Sequence, residues 1–401
     1  MERRPHETSL STSHYAWIQG CYWMAYCILL SFSSVYLLDQ GFSNTQIGLL
    51  LGLSGLLTAL LQPFVGARAD HLKVLSLGQF AALLILAMLL CTGGLFLLPG
   101  QAVQGGLFLS LLILLQLLTS LLYALGMDCV NQGMPLNFGL ARGVGAGSYA
   151  LASTLCGSAA AAFGPKCIPA LLGGATLLLL AAALSFRPGT PAKQAAPPPA
   201  SPPSSPQSFW RRYPRFLPLL AGVVLLYTSH NILMSFPYQI VQYLGGGSGE
   251  MGTLLTLQGL MDIPAMVLFS LLLRRAASWH WVRLAGLSFF LHALLTWLAP
   301  SVFFLYGIQI FETTGYALYA VASVYWVNDM TAPADRVQGQ TYFTMANTLG
   351  IVLSSFLGGF LLDAAGTGPT LAFSTVTGGT GMGILWIMLR QGQAKAAVQQ
   401  G

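Results

Sequence analysis

Asp128, Arg142, Asp262, Glu312, His230 and His292 are ionisable side chains that lie in or at the edge of long apolar runs. A charge close to a membrane core is costly and usually functional. Asp128 closes one apolar run, a short polar loop follows, and Arg142 sits just inside the next. Opposite charges flanking one hairpin suggest mutual compensation. The plainer reading is an ion pair that locks two helices, or an Arg that snorkels to the surface. Asp262 precedes Pro264, so it could instead relieve a helix break. Glu312 could be a hydrogen-bonded acid joining helices. His230 and His292 each read either as a functional group or as a satisfied core histidine.

Depth separates these groups. Counted from the outer ends of their runs, Glu312 and Asp262 lie roughly 17 Å deep at about 1.5 Å per residue. Asp128 and Arg142 are shallower. No Lys or Arg stands at similar depth in the second half. A deep carboxyl without a fixed cation beside it is a candidate proton carrier, which is the role expected of Glu312, with Asp262 in reserve.

The elements that must position these groups are transmembrane helices. The chain is 55% hydrophobic and only 7% charged, whereas soluble domains are about a quarter charged. Twelve runs reach the roughly 20 apolar residues needed to span a bilayer. They fall near 15–38, 45–66, 74–98, 106–129, 138–162, 167–186, 214–243, 250–273, 281–299, 301–328, 337–362 and 368–390. The first is read as a retained span rather than a cleaved signal. A Pro/Ala/Ser-rich stretch, 187–213, reads as a flexible cytoplasmic linker between bundles 1–186 and 214–401. The six cysteines show no C-x-x-C spacing and read as packing residues.

Charge asymmetry sets the expected orientation. With both termini in the cytoplasm, only Lys166 of the 17 Lys and Arg residues falls outside and only Arg142 within a span. The net charge of +6 therefore reflects topology and does not imply nucleic acid. The halves also repeat: Ile47–Leu56 resembles Met251–Leu260, and Leu151–Gly157 resembles Leu353–Gly359. The expected fold is thus an all-α membrane protein of twelve helices in two pseudo-symmetric six-helix bundles, with a ligand site between them. Gly143, Gly145, Gly147, Gly358 and Gly359 are expected at close helix contacts.

Spans three, six and twelve lack interior charges and read as outer helices, as does the ninth apart from His292. Polar and aromatic stripes mark three others: Gln19, Tyr22, Tyr26 and Ser33; Tyr227, His230 and Asn231; Gln309, Glu312, Tyr316, Tyr319 and Ser323. At helical spacing each set shares a face and is expected to line a watery cavity.

These residues resemble the major facilitator superfamily. Gly66-Ala-Arg-Ala-Asp70-His-Leu-Lys73 is similar to its cytoplasmic loop motif, with Gly66 and Asp70 matching and His71 departing. The resemblance implies a gating role for Gly66 and Asp70. More narrowly, the chain resembles the lactose permease branch of oligosaccharide and nucleoside proton symporters. Phe138–Leu151 is similar to that branch's fifth span. This implies that Arg142 binds sugar and that Tyr149 stacks on its ring, with Asp128 as the acid of span four. Gln309-Ile-Phe-Glu312 is similar to a His-x-Phe-Glu pattern, which makes Glu312 the coupling carboxylate and puts Gln309 in place of the His. The branch's Arg on span nine has no counterpart, Phe289 standing near it, and Asn347 stands where it has a Lys.

The expected function is proton-coupled import of a small polyhydroxylated solute, such as a sugar, glycoside or nucleoside. Asp128, Arg142, Tyr149, Tyr22, Tyr26, His230, Asn231, Gln309 and Asn347 would contact it. Expected partners are the solute, protons and the lipid of the cell membrane, with no cofactor, no metal and a monomeric chain. Drug or metabolite efflux is the alternative, although Gly164-Pro165 lies at the end of span five rather than within it. A non-transporting receptor or lipid-handling protein is the third reading. An enzyme is not expected, since no metal-ligand cluster, nucleophile motif or phosphate loop is read in the sequence.

Overall fold

The computed structural model describes the backbone of residues 5–70, 77–131, 138–185, 206–273, 276–332 and 335–399. The side chains of 5–11, 66–70, 127–131, 138–139, 206–208, 262–273 and 390–399 are outside the description. All regular structure among the described residues is helical. In order, the helices are α1 (Pro5–Tyr26), α2 (Ser33–Asp39), α3 (Asn44–Asp70), α4 (Leu77–Leu97), α5 (Gln101–Asn131), α6 (Phe138–Phe163) and α7 (Ile168–Ser185). There follow α8 (Pro206–Arg212), α9 (Phe216–Ser235), α10 (Pro237–Tyr243), α11 (Ser248–Leu273) and α12 (Ser278–Trp297). The chain ends with α13 (Val302–Ile308), α14 (Ile310–Glu312), α15 (Leu318–Met330), α16 (Arg336–Ala365) and α17 (Thr367–Gln399).

Every apolar run expected to span coincides with helix. Seven helical segments among the described residues are long and apolar enough to cross a bilayer by themselves. The pair Thr12–Ser31 and Ser33–Asp39, bent by 44°, meets the same test when taken together as one span. The bend follows a π-turn at Cys27–Ser31. A second π-turn, Thr313–Ala317, divides the tenth run directly after Glu312. Such turns insert one extra residue and recur at functional sites. Pro237 breaks the seventh run into α9 and α10, because its ring has no N–H to donate back into the preceding turn.

Two compact units form, residues 1–196 with 246–260, and residues 197–245 with 261–401. In the first, α1 lies along α6 and α7, while α5 packs on α3 and α4. The beginning of α11 joins this unit by backbone contact. A Cβ on Gly157 would lie 2.6 Å from Ser248 O and 2.8 Å from Gly252 Cα. Thr256 Oγ1 donates to Ala150 O at 3.0 Å and lies 2.8 Å from Thr154 Oγ1. Without side chains between them, the two backbones approach closely enough for such bonds. Gly145 likewise leaves room for the Trp23 indole. Gly143 and Gly147, expected at such contacts, face open space, with nothing within 4 Å of a Cβ.

In the second unit α9 is central, packed on α12, α16 and α17. A Cβ on Gly350 of α16 would lie 2.5 Å from Tyr227 Cβ. Phe216, Val223, Leu226, Val282, Phe289, Tyr319 and Phe343 fill the core. The last part of the expected linker is ordered: α8 buries Phe209 completely in this core. Arg212 and Tyr213 donate to the buried carboxylate of Asp335, just before α16. This contact holds the exposed Arg212 guanidinium above its usual pKa. The rest of that linker, 187–205, lies outside the described residues.

Candidate functional site

Arg142, half-buried on α6, reaches its neighbours without leaving the first unit. It donates to the Tyr123 hydroxyl of α5. Its guanidinium lies over the Trp23 ring, 4.8 Å from the centroid, inside the range of a cation–π contact. Trp23 is itself fixed. Its Nε1 donates to Gln19 Oε1 at 3.3 Å, and Gln19 Nε2 donates to the Tyr15 hydroxyl at 2.9 Å. The Tyr15 hydroxyl then donates to Leu122 O at 3.0 Å. This relay along one face of α1 orients the indole, and the indole orients the cation. Tyr26 packs on Trp23 with centroids 4.9 Å apart. Arg142 thus sits among aromatic groups and hydroxyls, a setting suited to charge-assisted bonds with a solute's hydroxyls.

The second unit holds a different group. Glu312, 1% exposed, meets His292 of α12 and His230 of α9. Nδ1 of His292 lies 3.0 Å from Glu312 Oε1, and Nδ1 of His230 lies 3.7 Å from it. Glu312 Oε2 and His230 Nδ1 have no hydrogen-bond partner among the described residues. The imidazole of His230 stacks on Tyr316 at 5.5 Å and packs on Phe289 at 4.7 Å. Three ionisable side chains from three helices therefore share one buried pocket of protein, with unsatisfied polar atoms facing each other.

Comparison with known proteins decides what this architecture is. The MFS_1 like family matches residues 15–373, nearly the whole chain. The chain belongs to the MFS_1-like family. Its members and structural neighbours are transporters, not enzymes. A crystal structure of nucleoside transporter NupG is similar with a TM-score of 0.78 at 14% identity, over 96% of this chain and 98% of that one. A bacterial homolog to human lysosomal transporter, Spinster, in an inward-facing and occupied conformation, gives 0.68 at 14%, over 97% and 98%. Peptide transporter POT gives 0.68 at 12%, over 98% and 95%. No curated protein matches. At these identities the structures share the fold alone. This MFS_1-like chain is an all-α, multi-pass membrane protein with the major facilitator transporter fold.

The residues expected to act in this MFS_1-like protein are distributed unevenly. Tyr149 is bonded through its hydroxyl to Ser31 Oγ at 2.9 Å, and its ring lies against Gly259. Tyr22 is sealed against α5, its hydroxyl shared with Thr119 and Leu115 O. Gln309 and Asn231 donate to carbonyls one turn back, Leu305 O and Tyr227 O. Asn347 Oδ1 accepts from the Tyr319 hydroxyl at 3.1 Å. The side chains of Asp128, Asp262 and Asp70 lie outside the described residues, as does Lys73; Gly66 and Asp70 fall in the last turn of α3.

On the ninth span, His292 faces Glu312 through its Nδ1. Trp23 and Tyr123 were not singled out, although Trp23 falls one turn after Gln19 on the same face. No short-range spacing announces the His230–His292–Glu312 group, because each member comes from a separate helix.

Proposed function

We propose that this MFS_1-like protein is a secondary active transporter that imports a small polyhydroxylated solute by alternating access, driven by protons. Sugars, glycosides and nucleosides are the candidate class. The observation that carries the reading is Glu312, a carboxyl 1% exposed inside a membrane bundle, with imidazoles beside it and no Lys or Arg contact among the described residues. Such a group can pass a proton on without a fixed counter-charge holding it permanently ionised. Arg142 supplies the recognition chemistry, with its guanidinium set on Trp23 and Tyr123. Asp128 and Tyr149 complete that end, and Asp262 is a second acid for coupling. NupG, similar in fold, is a nucleoside transporter, which agrees with this class. Bundles 1–186 and 214–401, joined by linker 187–213, a monomeric state, cell-membrane placement and cytoplasmic termini belong to the same reading.

Proteoliposomes test it. Counterflow against a panel of sugars and nucleosides identifies the solute, and an imposed inward proton gradient then drives its accumulation. Glu312→Gln keeps the shape of the side chain but cannot give up a proton. It should abolish gradient-driven accumulation while solute–solute counterflow persists. Accumulation equal to that of the unmodified protein would remove Glu312 from coupling.

A further inference from the structure

His230, His292 and Glu312 each offer one donor atom, and these atoms all lie within 4.8 Å of one another. We propose that the three side chains form a binding site for a single first-row divalent transition-metal cation of the Zn2+ or Co2+ type.

The donor set selects the ion class. Two imidazoles and one carboxylate suit borderline cations such as Zn2+ and Co2+. Mg2+ and Ca2+ prefer all-oxygen surroundings, and Cu(I) prefers sulfur. Geometry agrees with the chemistry. Metal–ligand bonds of about 2.0–2.2 Å place neighbouring ligand atoms roughly 3–3.5 Å apart. The structure sets the two imidazole nitrogens 3.0 and 3.7 Å from the same carboxylate oxygen. The widest pair of donor atoms, up to 4.8 Å apart, must close by about 1 Å for all three to reach one ion. Three protein ligands leave further positions open on the ion, as in zinc sites that exchange a ligand.

Burial supplies the second line of support. The three side chains are 4%, 3% and 1% exposed. His230 Nδ1 and Glu312 Oε2 are sealed from solvent without hydrogen-bond partners among the described residues, and Glu312 Oε1 has only His292 Nδ1 at 3.0 Å. Leaving such atoms unsatisfied in an apolar surrounding costs free energy, and one centrally placed cation would satisfy all of them at once. The ring planes are also braced. Tyr316 stacks on His230 within 12° of parallel, and Phe289 packs on the same imidazole. Glu312 sits immediately before the π-turn at Thr313–Ala317, where Thr314 Oγ1 accepts from Ser288 of α12. These contacts tie the carboxylate-bearing helix to the helix that carries His292.

A bound cation and a proton compete for the Glu312 carboxyl that the proposed function assigns to coupling, and binding is read separately, on solubilised protein in which nothing is transported. The full chain is purified in detergent through a tag free of histidine, stripped with a chelator and titrated with Co2+. The expected result is one Co2+ per chain with the intense visible absorption of a four- or five-coordinate ion, displaced by Zn2+. His292→Ala and Glu312→Gln should each weaken Co2+ binding roughly tenfold or more. His292→Cys guards against misfolding in those variants: it should keep the site and add a sulfur-to-cobalt charge-transfer band. Absence of the visible band in the unmodified protein overturns the proposal. So does a band of unchanged affinity in the variants, which would place the ion on His6, His14, His71 or His280, or absence of the sulfur band in His292→Cys.

Discussion

At the scale of single residues, the Arg142 guanidinium owes its position to an aromatic ring rather than to a carboxylate that the described residues display. Trp23 is held by Gln19, and Gln19 by Tyr15, so the cation rests on a braced surface. A cation–π contact of this kind contributes about 1 kcal/mol, more when desolvated. Trp23→Ala should therefore raise the KM for the solute roughly fivefold in counterflow, with little change in maximal exchange. Trp23→Phe, which keeps a ring face but loses the bond to Gln19, should recover part of that loss. An equal KM in both variants and the unmodified protein would show that Arg142 is positioned by something else. The pairing of Asp128 with Arg142 was suggested by opposite charges across a hairpin. Trp23 and Tyr123 gave no such signal, because aromatic residues at helical spacing are ordinarily packing.

Among the elements, α9 carries the second unit, and glycines set how near its neighbours come. Gly350 lets α16 approach until a Cβ would be 2.5 Å from Tyr227 Cβ and 3.0 Å from Val224 O. Neither obstacle is the free end of a flexible chain. Gly350→Val should cost about 1–3 kcal/mol through forced separation of the helices, measured as a lower Tm of the detergent-solubilised protein. A Tm equal to that of the unmodified chain would contradict the close approach. The same substitution at Gly147, which faces open space, should leave Tm nearly unchanged and serves as the control. Gly147 illustrates a limit of sequence reading. A glycine-rich face shows that close contact is permitted, but which glycines meet a neighbour depends on helix rotation, a property of the packed bundle.

For the molecule as a whole, the apolar runs and their charge-free lengths were legible because hydrophobicity over about 20 residues is a local quantity. The internal likeness of Ile47–Leu56 and Met251–Leu260 was readable for the same reason. The buried group was only half legible. Glu312 stood out as an acid in an oily run, whereas its partners on α9 and α12 are brought to it by packing alone. His292 looked inert because nothing near it in sequence is polar enough to pair with it. The π-turns were invisible too, since no residue type signals them. The one at Thr313–Ala317 has a genetic consequence. It carries one residue more than a regular turn, and each residue turns a helix by about 100°. Deleting Thr314 should let the segment relax into an ordinary helix and swing Glu312 relative to Tyr319 by that angle, away from both imidazoles. In a library of single-codon deletions, that position should score as inactive in transport while the protein still reaches the membrane. Relatives that retain the carboxylate should accordingly align through this stretch without a gap.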